Sequence, residues 1–265
     1  MSLRRDVSER RLPLMIVIRI FLNGLIMAAE IGAVAAVAWL GYVHPFLFAA
    51  LTAALSFALG LRLEIKRLSF ELPFYFEGAR SPRILLVGLV GFVEALMKGV
   101  LAGLAALFTF AGTDSTRLFW VAVVFGVTTY AGSAALRALS VSLRAQPWRW
   151  GYFRLAPPLG LAFSAGLAML AAVGVLHATS VGEIGWKLVW ELPQKPSVSQ
   201  VSELFFQLKQ AFDDFIVTLL RAVMSEEWAR VVGIVVSVNV LTGFVAAVYA
   251  AVIAACVRAA EERLP

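Results

Sequence analysis

The sequence predicts an all-α, polytopic membrane protein with six transmembrane helices. Hydrophobic residues make up 61% of the chain and charged residues only 15%, against about 25% in a typical soluble domain. The chain also contains six apolar runs close to the roughly 20 residues that a helix needs to cross the hydrocarbon core. This composition excludes an ordinary soluble enzyme, a disordered chain and a nucleic-acid-binding domain. We therefore interpret residues 1–265 as a single integral membrane domain in a lipid bilayer.

The six apolar runs define the predicted transmembrane helices, numbered here as spans 1 to 6. Span 2 is the shortest, with 17 residues (45–61), and a helix of that length crosses a bilayer only with little tilt. The predicted spans are Leu14–Val43, Pro45–Leu61, Ile84–Gly112, Leu118–Leu136, Ala156–His177 and Val231–Val257.

The distribution of basic residues predicts the orientation of the spans. The two terminal segments and the connections between spans 2 and 3 and between spans 4 and 5 carry 15 of the 23 Lys and Arg residues. The two short connections on the opposite side carry only Arg117. Because cytoplasmic loops are enriched in Lys and Arg, we expect both termini in the cytoplasm, a location in the cytoplasmic (inner) membrane and segment 178–228 outside.

A weak internal similarity suggests three helical-hairpin repeats. Arg62 at the end of span 2 and Arg137 at the end of span 4 are 75 residues apart, and Pro73 and Pro147 after them are 74 residues apart. The repeats would cover residues 11–79, 80–153 and 154–265, arranged around an axis along the membrane normal. The alternative is that any six-span protein has such residues at its cytoplasmic interface, and the sequence leaves both open.

Three ionisable residues inside the spans form the candidate intramembrane charge site: Glu30 in span 1, and Glu94 and Lys98 in span 3. Spans 1 and 3 run in the same direction, and Glu30 and Lys98 have similar predicted depths, so we expect these two within salt-bridge reach. Two carboxylates with one ammonium leave an excess negative charge, which favours a bound proton or cation. The functional interpretation is a proton- or cation-coupling site, and the structural one is an ion pair that locks span 1 to span 3.

Two further sets of polar residues are functional candidates. Arg62, Arg137 and Arg258 would form an inner basic ring that attracts anions at a pore mouth, or else three separate anchors at the lipid phosphates. Hydroxyl and amide side chains in spans 4 and 6 would line a polar path, or else hydrogen-bond between helices. The residues of this path are Thr128, Thr129, Tyr130, Asn239 and Thr242.

The segment between spans 5 and 6, residues 179–228, is the one long insertion outside the membrane. Residues 199–224 repeat apolar side chains at helical spacing, including Leu204, Leu208, Phe212 and Phe215, which predicts an amphipathic helix. The apolar face of this helix needs to be shielded from water. The helix would lie in the outer headgroup region, rest on the bundle as a lid, or dock a partner.

Ridges of small residues, such as Gly24, Ala28, Gly32 and Ala36 in span 1, predict close packing of helices. Such ridges serve either the interior of the bundle or contacts in a homo-oligomer or with other membrane subunits. The aromatic and Arg residues of the connections fit a membrane interface, so no nucleic-acid partner is predicted.

The sequence contains no recognised catalytic motif, and one Cys and two His residues supply little for a metal or haem site. We therefore predict no enzymatic activity, no cofactor, and no catalytic or metal-binding residues. Two functions stay open. One is a membrane transporter or channel component that moves a small solute or ion across the cytoplasmic membrane. The other is a non-catalytic structural or assembly subunit of a larger membrane protein complex.

Overall fold

The computed structural model describes residues 3–75, 82–143, 154–175, 197–226, 228–229, 232–233 and 239–263. Within these residues the chain is all-helical, with seven long helices and no strand. The helices are α1 (Leu3–Val43), α2 (Pro45–Tyr75), α3 (Pro82–Thr109), α4 (Ser115–Leu143), α5 (Ala156–Ala172), α6 (Val198–Arg221) and α7 (Asn239–Glu261).

Five of these helices are long and apolar enough to cross a membrane, which supports a helical membrane protein. The five stretches are Ile18–Val43, Pro45–Ser69, Gly88–Thr109, Ser115–Leu143 and Asn239–Glu261. The predicted span 5 is represented by α5, an apolar helix of 17 residues. At 1.5 Å per residue α5 is about 26 Å long, somewhat less than the roughly 30 Å of the hydrocarbon core. The structure therefore supports five of the six predicted spans by length and composition.

The structure corrects the predicted end of span 2. We predict its end at Leu61, whereas α2 continues to Tyr75. Polar residues in this extension bond to each other along the helix, with Arg67 reaching Glu64 three residues before it and Glu71 four residues after it. Such pairs stabilise a helix beyond its apolar stretch.

The predicted repeats 11–79, 80–153 and 154–265 stay a prediction. Their boundaries fall partly on residues 76–81 and 144–153, which lie outside the described residues. Residues 179–196 and 227 of the predicted insertion 179–228 also lie outside the described residues, and its described part is mainly α6.

Helix α7 lies at the centre of the bundle. It is the most buried of the five candidate spans, and helices α1 to α5 all contact it. Four fully buried Phe side chains from α2, α4, α5 and the α3–α4 turn contribute to the core beside it: Phe48, Phe110, Phe125 and Phe163. The ring of Phe48 also stacks on Tyr249 of α7, with the ring centroids 5.3 Å apart.

Glycines set the closest approaches between helices. A Cβ on Gly99 of α3 would lie 3.0 Å from the carbonyl oxygen of Ala53, and one on Gly103 would lie 3.1 Å from the Cβ of Ala53, so α2 and α3 pack closely at these two glycines. A Cβ on Gly243 of α7 would overlap the backbone of Ala156 and Gly160 in α5. The α5–α7 crossing therefore depends on glycine.

We expect Gly243→Ala to lower the free energy of unfolding by about 1–3 kcal/mol or more, because the added methyl group meets backbone atoms that cannot rotate away. Thermal unfolding of the purified protein in detergent measures the effect. Gly32→Ala is the matched control, since a Cβ there meets nothing within 4 Å. Equal melting temperatures for the two variants would contradict the packing described here.

The amphipathic helix α6 contacts the bundle at the turn between α3 and α4. Its first turn is capped by Ser197, which accepts a hydrogen bond from the backbone N–H of Gln200. Ser202 exchanges hydrogen bonds with the backbone of Gly112, and the ring of Phe205 packs edge-on against Phe108. Of the three predicted placements, contact with the bundle is thus observed. The side chains of Leu208, Phe212, Phe215 and Leu219 nevertheless stay exposed.

Candidate functional site

The predicted charge site divides into two clusters on different pairs of helices. Glu30 binds Arg137 of α4, and Lys98 binds Glu64 of α2. The predicted contact between Glu30 and Lys98 is therefore wrong. The reason is that α1 packs against α4, α7 and α2, while α3 packs most extensively against α2. Equal depth in the membrane does not make two helices neighbours.

The first group, called the α1–α4 cluster, consists of Glu30, Ser133 and Arg137. The side chain of Glu30 is 0% exposed, and its Oε2 lies 2.9 Å from Nη2 of Arg137. The hydroxyl of Ser133 donates to the other carboxylate oxygen, Oε1, at 2.7 Å. Residues of α4 thus supply a hydrogen bond to Oε1 and an ion-pair contact to Oε2 of this buried carboxylate.

Two buried polar atoms on α4 have no hydrogen-bond partner among the described residues: Nε of Arg137 and Oγ1 of Thr129. Thr129, Ser133 and Arg137 are spaced four residues apart, which places them on one face of α4. The α1–α4 cluster therefore has spare hydrogen-bonding capacity, although its two charges compensate each other.

The second group, called the α2–α3 cluster, consists of Glu64, Arg67, Glu94 and Lys98. The side chain of Glu64 is 3% exposed and accepts from both Lys98 and Arg67, the latter at 3.1 Å. Arg67 also lies 3.7 Å from Glu94. The structure thus brings the predicted residues Glu94 and Lys98 together, around a carboxylate on the neighbouring helix.

The carboxyl groups of Glu64 and Glu94 share one cation. Arg67 lies 3.1 Å from Glu64 and 3.7 Å from Glu94. Glu64 is buried between Arg67 and Lys98, whereas Glu94 is 35% exposed. Glu94 is therefore the carboxyl group of this pair that solvent reaches.

Sequence reasoning missed Glu64 and Arg67 because it ended span 2 before them. The available signal was the helical spacing of Glu64, Arg67 and Glu71, which puts all three on one face of a continuing helix. That spacing predicts a longer α2 and a charged face toward its neighbour.

The three Arg residues of the predicted inner ring have different surroundings. Arg62 is exposed, Arg137 belongs to the α1–α4 cluster, and Nε of Arg258 bonds Glu262 at 2.7 Å. No common partner joins them among the described residues, and the ring stays a prediction.

The residues of the predicted polar path also have separate contacts. Thr242 bonds Thr109 of α3 at 2.8 Å, and Thr128 donates to the carbonyl oxygen of Val124 within α4. Tyr130 packs beside the buried apolar residues Val34, Ile253 and Val257, while Asn239 is half-buried at the start of α7. The Thr242 contact is interhelical hydrogen bonding, the alternative that the sequence leaves open.

A buried amine lies beneath α6. The side chain of Lys209 is largely buried, and its Nζ donates to the carbonyl oxygen of Phe108 at 3.2 Å. Burial, reinforced by the nearby positive charge of Arg117, lowers the pKa of Lys209 to about 7. The guanidinium of Arg117 in turn lies 3.9 Å from the ring centroid of Phe206 on α6.

Among the described residues, no three His, Cys, Asp or Glu side chains are grouped to hold a metal ion. No family model, curated protein or solved structure matches this chain.

Proposed function

We propose that the protein is an integral membrane transporter or channel component that moves a small solute or ion, with the α2–α3 cluster as its proton-coupling site. The observation that carries the proposal is a pair of carboxyl groups inside the spans, Glu64 and Glu94, that share Arg67, with Lys98 bound to Glu64. Ionisable residues inside membrane spans are costly and commonly mark ion pathways and proton relays.

The cluster would work by changing its charge. With Glu64 and Glu94 both ionised, the two negative charges balance Lys98 and Arg67. A proton taken up by Glu94 leaves a net positive charge, which attracts an anionic solute or repels a cation. Glu94 is the accessible member of the pair, so it would exchange the proton, while Glu64 holds the two cations in place.

The proposal includes a location. With the predicted orientation, the protein is in the cytoplasmic membrane with both termini in the cytoplasm and segment 178–228 outside. The α2–α3 cluster, close to residue 69 at the end of the apolar part of α2, would then be reached by protons from the cytoplasm.

Transport by purified protein in liposomes tests the proposal. A pH-sensitive dye trapped inside reports proton movement when amino acids, monocarboxylates, inorganic phosphate or K⁺ are added one at a time. We expect at least one of these to drive proton movement, and Glu94→Gln to reduce the rate at least tenfold. Glutamine keeps the size and hydrogen bonding of Glu94 but cannot release a proton.

The control is Glu262→Gln, which removes an exposed carboxylate at the end of α7, outside the cluster. It should leave the rate unchanged. Absence of solute-driven proton movement in correctly inserted wild-type protein, or equal rates for Glu94→Gln and wild type, would contradict the proposal.

The second candidate function is a non-catalytic structural or assembly subunit of a larger membrane complex. It is favoured by α1, the least buried of the five candidate spans, where Gly24 and Gly32 have open space beside them. Purification in mild detergent distinguishes the two functions. Other membrane chains recovered in stoichiometric amounts support the subunit, whereas a lone protein active in liposomes supports the transporter.

A further inference from the structure

An apolar groove runs between α1 and α4, away from the α2–α3 cluster. Its volume is about 500 Å³. Small residues, including Ala35, Ala38 and Gly126, form part of it, and a Cβ on Gly126 would lie 3.6 Å from the Cβ of Ala38. The groove therefore exists because these positions carry little or no side chain.

The groove lies along the membrane-spanning parts of both helices. It extends from Ile31 to Tyr42 on α1 and from Phe119 to Tyr130 on α4. The first and last residues of each stretch are eleven residues apart along the helix, which corresponds to about 17 Å. Since both stretches belong to candidate spans, the surroundings of the groove are hydrocarbon chains rather than water.

One end of the groove is aromatic. Trp39 and Tyr42 lie in the last turns of α1, Phe119 lies in the second turn of α4, and all three line the groove. Aromatic side chains at helix ends are typical of the headgroup level of a bilayer. A lipid with its headgroup at this level would extend its chain along the groove towards Tyr130.

The size and lining of the groove suit a lipid chain. Its volume of about 500 Å³ is within the range of small-molecule pockets. Its lining is almost entirely apolar, which matches the chemistry of a flexible acyl chain.

We infer that the groove between α1 and α4 is a binding site for an acyl chain of a membrane phospholipid, with the headgroup at the Tyr42 end. The inference does not depend on the proposed transport activity. It requires only that α1 and α4 are embedded in the bilayer.

Photo-crosslinking tests this site. The protein is reconstituted in nanodiscs of phosphatidylethanolamine and phosphatidylglycerol that contain a small fraction of phospholipid with a diazirine in the middle of one acyl chain. After irradiation, mass spectrometry locates the labelled residues. We expect residues 31–42 and 119–130 to be labelled at least fivefold more than residues 20–25, which include the exposed Ile20, Phe21 and Leu25.

Ala35→Trp, which fills the groove, should reduce labelling of residues 119–130 at least fivefold. Ala36→Trp is the matched control, because Ala36 is the next residue, is exposed and does not line the groove. Val127→Trp fills the groove from α4 and replaces Ala35→Trp if that variant does not fold. Uniform labelling of all exposed apolar positions, or equal labelling in the filled and control variants, would overturn the inference and leave only non-specific lipid contact.

Discussion

Replacing Arg137 by Gln is expected to lower the free energy of unfolding by about 3–5 kcal/mol, because it leaves the carboxylate of Glu30 buried without its cation. The side chain of Glu30 is 0% exposed and that of Arg137 is 20% exposed, so water compensates little for the lost pair. Thermal unfolding and the denaturant midpoint in detergent measure the loss.

Two further variants test whether the loss of stability comes from breaking the Glu30–Arg137 pair. Glu30→Gln/Arg137→Gln removes both charges and should regain most of the lost stability, because a neutral pair leaves no buried charge. Arg62→Gln removes an exposed Arg within α2, outside both clusters, and we expect a change within about 0.5 kcal/mol. If Arg137→Gln were no more destabilising than Arg62→Gln, the α1–α4 cluster would not contribute to stability.

Contact between α6 and the bundle is expected to strengthen as the pH rises above 7, because the contact holds Lys209 in its neutral form. The pKa of Lys209 is about 7 when α6 is in place, against 10.5 for a free Lys side chain. Between these values the detached state binds more protons, so raising the pH favours attachment. From pH 7 to 8.5 we expect the free energy that favours attachment of α6 to increase by about 1–2 kcal/mol.

Hydrogen exchange of the backbone amides of residues 198–221, corrected for the intrinsic effect of pH, measures this attachment. In Lys209→Met the increase in attachment free energy between pH 7 and 8.5 should disappear, because methionine does not titrate. Equal pH dependence in wild type and Lys209→Met would show that Lys209 does not control the contact.

The sequence predicts where the helices lie along the chain better than it predicts which helices contact each other. Apolar runs determine which residues can enter the membrane, so the predicted spans 1, 3 and 4 overlap well with α1, α3 and α4. The end of α2 was missed because hydropathy falls at Arg62, while the side-chain pairs around Arg67 continue the helix. Hydropathy contains no information on such pairs.

The sequence pointed to three residues of the two charged clusters, but it did not predict their pairing and it missed Glu64 and Arg67. Glu30, Glu94 and Lys98 stand out because charged residues are rare in membrane spans. Depth along a span follows from the sequence, since each residue adds 1.5 Å. Which side of a helix faces which neighbour depends on how all the helices pack together. This packing places Glu30 beside Arg137 and Lys98 beside Glu64.

The central position of α7 has a consequence for synthesis of the protein on the ribosome. The helices that surround α7 are made before it, and about 195 residues separate the end of α1 from the start of α7. At 5–20 residues per second, roughly 10–40 s pass before their shared partner emerges. During this interval the small and polar faces that later meet α7, including Thr52, Thr109 and Gly160, have no native contact with it. A chaperone or membrane protease would encounter the nascent chain in this incomplete state.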